Sequence, residues 1–171
     1  MSVFCNSGPL IALGRIGALD IFFRLFGKVH IPTAVYQETV IEGAEHGFID
    51  ARMTQMAIRR EQLIVLKMFQ DDLPQEIASL DLDAGEKEAI YLSKQESGSL
   101  ILLDDLKARE EAKRLGLAVK GALGVLVQAY REKLISFAEV SAFIETIIRH
   151  DDIWISAELC REVLRQIETE H

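Results

Sequence analysis

The sequence is poor in the residues that mark specialised chains. Its two cysteines, Cys5 and Cys160, and its four histidines (His30, His46, His150 and His171) are scattered without metal-ligand spacing. That pattern argues against zinc and reads the cysteines as two buried thiols rather than a disulfide. Only three prolines occur in 171 residues, and no Pro/Gly/Ser-rich tract offers a linker. The expectation is one domain over residues 1–171, with about 137–171 as a helical extension packed on it. No apolar run approaches the ~20 residues of a membrane span, and the start Met-Ser-Val-Phe-Cys-Asn lacks the features of a signal peptide. A soluble, cytoplasmic protein that does not contact membranes is expected. Positive charge is also scarce: 19 Lys and Arg face 27 Asp and Glu, for a net charge of −8. This excludes a broad phosphate-binding surface, so any nucleic-acid contact has to be local. The densest cationic segment holds Lys107, Arg109, Lys113, Arg114 and Lys120, with Arg52, Arg59 and Arg60 as a second cluster. A solvated helix face balanced by Glu110 and Glu111 is the simpler account of the first segment.

What the chain does have is short apolar runs ending in polar residues, alternating with helical patterns. That is how a parallel sheet with crossover helices reads, and it predicts an α/β fold. Strands are expected at Val3–Cys5, Lys28–Ile31, Leu63–Leu66, Leu100–Leu103 and Leu117–Val119. The unbroken run Leu100–Leu103 has the pattern of a strand covered on both faces and is expected at the sheet's centre, whereas Leu63–Leu66 reads as either core or edge. Helices are expected over Pro9–Leu25 with a break near Gly14–Gly17, and over Thr33–Glu45, Met53–Arg60, Asp83–Gln95, Leu106–Leu115, Ala122–Glu132, Phe137–Arg149 and Ser156–Glu168.

In an open parallel sheet, ligands bind beyond the carboxyl ends of the strands. The residues closing the strands are Asn6, the pair Asp104-Asp105, and Lys120-Gly121. Glu38 and Glu86 come from helices. Asp83-Ala-Gly-Glu86 fits a capping box. A helical wheel puts Glu38 on the inward-packing face, where a carboxylate needs a cation or a metal as partner. One of Asp104 and Asp105 suffices to cap the helix that follows, freeing the other to face the crevice. Asn6-Ser7 likewise fits a simple cap. Together these residues bring up to four carboxylates and one amide oxygen to one end of a sheet. Two unpaired carboxylates ~4 Å apart cost about 4 kcal/mol at an effective dielectric of ~20, so the group requires a cation or shared protons. An all-oxygen donor set favours Mg²⁺ or Mn²⁺.

Five segments in order resemble the PIN-domain family, in particular its stand-alone prokaryotic VapC-like branch. They are Asn6-Ser-Gly-Pro-Leu-Ile-Ala-Leu, Ile31-Pro-Thr-Ala-Val-Tyr-Gln-Glu38, Leu82-Asp-Ala-Gly-Glu86-Lys-Glu-Ala-Ile, Leu102-Leu-Asp104-Asp105-Leu-Lys-Ala-Arg109 and Gly116-Leu-Ala-Val-Lys-Gly-Ala-Leu-Gly124-Val-Leu. The resemblance implies a three-layer α/β/α, Rossmann-like domain with a mostly parallel sheet and extra C-terminal helices. It also implies a metal-dependent endoribonuclease, the toxin of a toxin–antitoxin pair. On this reading Asn6, Glu38, Glu86 and Asp104 hold the metal, with Asp105 adjacent, while Lys107, Arg109 or Lys120 meets RNA. An antitoxin and a homodimeric partner are further expectations. The sequence departs from the pattern at Asn6, which stands in place of an aspartate, and at Ala122, which stands where a hydroxyl residue is common. A catalytically weakened RNA- or protein-binding module is therefore an alternative reading. A receiver- or phosphatase-like domain is a third, though such designs place an Asp directly after the first strand.

Overall fold

The computed structural model describes residues 1–171. It contains one five-stranded sheet in the order β3-β2-β1-β4-β5, and every pairing is parallel. The strands are β1 (Val3–Cys5), β2 (Val29–Pro32), β3 (Leu63–Leu66), β4 (Leu100–Leu102) and β5 (Ala118–Lys120). The central strand is β1, which corrects the expectation for Leu100–Leu103. That run is unbroken because both faces of β4 are covered, a condition met by any interior strand and not only the middle one. β3 is an edge strand. Chain order reverses between β1 and β4: β2 and β3 add to one side of β1, and the chain then crosses to place β4 and β5 on the other.

Side chains alternate across the sheet, as the two-residue strand period requires. Val3, Cys5, Leu100 and Leu102 face one core with α1 (Ser7–Arg15), α2 (Leu19–Phe26) and α9 (Ala122–Arg131). Phe4 and Ile101 face a smaller core under α6 (Gln75–Ala78), α7 (Ala84–Gln95) and α8 (Leu106–Arg114). This is the three-layer α/β/α arrangement. Helices α10 (Phe137–Arg149) and α11 (Ala157–Glu170) pack on α9, and their Val140, Ile144 and Ile167 join the larger core. Cys5 and Cys160 are free and buried, as expected. No helix is long and apolar enough to cross a membrane.

Element boundaries moved where local chemistry is ambiguous. The break inside Pro9–Leu25 is real: α1 ends at Arg15, Gly17 takes a left-handed φ of 76°, and α2 starts at Leu19. Thr33–Glu45 stays helical as α3 (Thr33–Tyr36) and α4 (Gly43–Glu45), but a π-helical stretch, Gln37–Glu42, separates them. The helix expected from Met53 begins earlier, as α5 (Ile49–Arg59). The short α6 and the 3₁₀ turn at Gln70–Asp72 carry too few residues to show a period.

Gly14 is explained by the crossing of α1 and α5. A Cβ built there lies 2.9 Å from the Cβ of Asp50, closer than side chains pack. We expect Gly14→Ala to lower the urea midpoint by the equivalent of about 1–3 kcal/mol. The ~1 kcal/mol gain in helix propensity would partly mask this loss. An unchanged or raised midpoint would show that the two helices separate freely.

Candidate functional site

The site is built where the sheet reverses. The backbone N–H of Asn6, the residue that follows β1, donates to the carbonyl of Leu102 at the end of β4 (3.1 Å). This ties the two strand ends together and sets Asn6 beside Leu103-Asp104. Asn6 occupies the cap position of α1 but makes no side-chain cap bond, so the simple capping reading does not hold. Its side-chain Oδ1 is buried without a hydrogen-bond partner.

Asp104 has the same property. Its Oδ1 accepts from the backbone N–H of Ala122 at the start of α9 (2.8 Å), while its Oδ2 is buried with no partner. Burial pushes the carboxyl up to about 6, against the opposing effects of the Ala122 N–H and the Arg109 charge. Gly121 makes this possible: a Cβ there would lie 2.7 Å from Asp104 Oδ1 and 2.6 Å from Arg109 Nη1. The neighbouring Asp105 is exposed and does the capping, accepting from the N–H of Ala108 (2.9 Å). The division of labour expected for the pair is therefore present, with Asp105 as the cap and Asp104 turned inward.

Glu86 is buried at the start of α7 and forms the capping box. Asp83 Oδ1 accepts from its N–H (2.8 Å), and its own Oε2 accepts from the N–H of Asp83 (3.1 Å). Burial, followed by the charge of Asp83, pushes the Glu86 carboxyl up to about 7, with Asp105 and Glu38 adding to the effect. The capping role thus coexists with a strained ionisation. Gly85 lets this helix start close against the strand end, since a Cβ there would sit 3.0 Å from Asn6 Oδ1.

Glu38 requires a correction. Its residue is exposed, and the buried position falls to the next residue, Thr39, whose hydroxyl donates to the Val35 carbonyl (2.7 Å). A wheel drawn at 3.6 residues per turn does not apply to a π-helical stretch, so the inward assignment failed. The carboxylate nevertheless reaches the site, because its Oε2 accepts from the Ser7 hydroxyl (2.5 Å).

Glu38 and Asp104 line one cavity of about 200 Å³, together with Gly8, Arg15, Ile153 and Trp154. Asn6 and Glu86 lie outside its lining, and no three His, Cys, Asp or Glu side chains converge closely enough to hold a metal by themselves. The three cations expected near RNA all have partners within the chain. Lys107 pairs with Asp81, both on the surface. Arg109 donates to the Leu103 carbonyl (3.1 Å) behind Asp104. Lys120 donates to Gln128, and burial pushes its pKa down. Sequence reasoning missed Ser7, although it stands beside Asn6 in a quoted motif. It also missed Arg15, whose partners carry no local signal. Arg15 Nε is 3.5 Å from Asp50 Oδ1, and its Nη1 donates to the Asp152 carbonyl (2.6 Å) and reaches Asp152 Oδ2 (3.0 Å).

A family model described as PIN domain matches residues 2–169. No curated protein matches the sequence.

Both raised carboxyls favour folding in the neutral form. Their contribution is complete below the unfolded values and is lost as pH rises to about 6 for Asp104 and about 7 for Glu86. In EDTA, wild type should lose melting temperature relative to Glu86→Gln between pH 4.5 and 7. A difference that stays flat across that window would contradict the burial of this carboxylate.

Proposed function

The chain belongs to the PIN-domain family, a nuclease-type fold, and from that premise we propose that it is a Mg²⁺- or Mn²⁺-dependent endoribonuclease, the cytoplasmic toxin of a toxin–antitoxin pair. The observation that carries this reading is the pair of buried, unpartnered oxygens, Asn6 Oδ1 and Asp104 Oδ2, flanking the sheet's reversal point. A buried acceptor without a donor costs about 1–3 kcal/mol, and a hydrated cation would give each of these oxygens a partner. The donor chemistry fits: the groups are all oxygens, and Mg²⁺ retains several waters, so few direct protein ligands are needed. Asn6 and Asp104 would hold the ion, with Glu38 and Glu86 completing its surroundings directly or through water.

A bound divalent ion supplies an acidified water and offsets charge on the phosphodiester. The chain's own groups do the rest. The Ala122 N–H fixes Asp104, leaving its second oxygen free, so this contact needs no hydroxyl at position 122. Ser7 steers the Glu38 carboxylate. Glu86, pushed up to about 7 by burial and neighbouring acids in the metal-free chain, would be held ionised by a cation beside it. The surface pair of Lys107 with Asp81 is worth little, so Lys107 can exchange that partner for a phosphate. An antitoxin would shield the acidic crevice with a basic side chain. Asn6 supports a second reading, a binding module with weakened catalysis, because an amide leaves the site one negative charge short.

Purified protein with Mn²⁺ and structured RNA tests the proposal. Asp104→Asn keeps the bond to Ala122 and should cut cleavage at least ~100-fold. Equal cleavage by wild type, Asp104→Asn and Glu86→Gln would remove the site. Mn²⁺ at a hundred times its dissociation constant should add ~2.7 kcal/mol of stability, and no shift together with no cleavage would favour the module. Asn6→Asp should melt lower than wild type in EDTA, because it adds a charge beside Asp104, and should gain more from Mn²⁺. A smaller gain would place the ion away from Asn6.

A further inference from the structure

Trp154 is the only tryptophan of the chain and is 93% exposed. Its neighbours do not share that exposure: Ile153 is buried and Ile155 packs against the core. The loop carrying it is pinned on the other side by Arg15, which holds both the carbonyl and the carboxylate of Asp152. The indole is therefore displayed on an anchored support, and it forms part of the wall of the cavity that contains Asp104 and Glu38.

We propose that Trp154 is a stacking platform for an unpaired nucleobase of RNA entering the Asp104 crevice, held in place by the Arg15 clamp. The inference deepens the nuclease reading and rests on it for the identity of the ligand. Two observations favour a base over a phosphate. The net charge is −8, and Arg109 and Lys120, two of the three cations expected at RNA, are held in internal contacts. Phosphate attraction is correspondingly weak, while an aromatic face accepts any base irrespective of sequence. Binding should therefore depend only shallowly on salt, with a slope near that of a single phosphate contact.

Because no other tryptophan is present, indole fluorescence reports this position alone. The titration uses an eight-nucleotide single-stranded RNA in EDTA, so that binding is read without cleavage. An abasic strand of equal length and a duplex serve as controls. The single strand should quench the fluorescence, and the two controls should not. Labelled RNA should bind Trp154→Ala about tenfold more weakly, with most of the affinity retained by Trp154→Phe. Absence of quenching, equal quenching by the abasic strand, or unchanged affinity of Trp154→Ala would overturn the proposal. Absence of quenching is also the result expected if a polypeptide covers the indole instead. Failure here with RNA cleavage intact in Mn²⁺ leaves the nuclease reading standing, whereas quenching without cleavage separates a binding subsite from a catalytic one.

Discussion

Everything at the site depends on the parallel pairing of β1 with β4. Residues 97 apart along the chain are brought into register by Val3 facing Leu100 and Cys5 facing Leu102, and the ladder ends at the bond from Asn6 to Leu102. Beyond that bond the two strands have no further backbone partners to offer each other. The first polar side chains past the strand ends, Asn6 directly after β1 and Asp104 one residue beyond the buried Leu103 after β4, are left at the mouth of the sheet. The apolar strands supply the positioning, and the polar residues after them are the groups on which the proposed chemistry rests.

The helices around this point solve a problem of crowding. Several acids meet near one sheet end, and each of the outer ones is given a donor: Asp105 takes the Ala108 amide, Glu86 the Asp83 amide, and Glu38 the Ser7 hydroxyl. Asp104 receives only one donor for two oxygens, and Asn6 receives none for its carbonyl oxygen. Unsatisfied capacity is thus concentrated in two neighbouring groups rather than spread over the cluster. Such concentration fits the cation proposed for this point, because buried polar groups are ordinarily paired.

Much of the architecture was legible in sequence because it follows from periodicity and punctuation. Phe137–Arg149 matches its helix residue for residue, and the strands fall where apolar runs end in polar residues. The middle of the sheet was misplaced because burial on both faces is common to all interior strands. Glu38 was misassigned because a π-helical stretch changes the angle per residue, which composition does not report. Of the site, the acids and Asn6 were visible through their motifs. Gly121 and Gly85 sat inside those motifs, but their role as empty space required the neighbours' coordinates. The link from Arg15 to Asp152 spans most of the chain and leaves no trace in either local segment.

That link has a mechanical meaning. Arg15 belongs to the first helix, Asp50 to a helix packed against it, and Asp152 to the turn joining the last two, yet one guanidinium touches both acids while lying over the Phe48 ring at 5.0 Å. Part of the crevice wall, Asp152 to Ile155, is therefore anchored to the first helix from the far end of the polypeptide. A force that levered the terminal hairpin outward would also widen the entrance, although none of the acids proposed to surround the ion belongs to that hairpin.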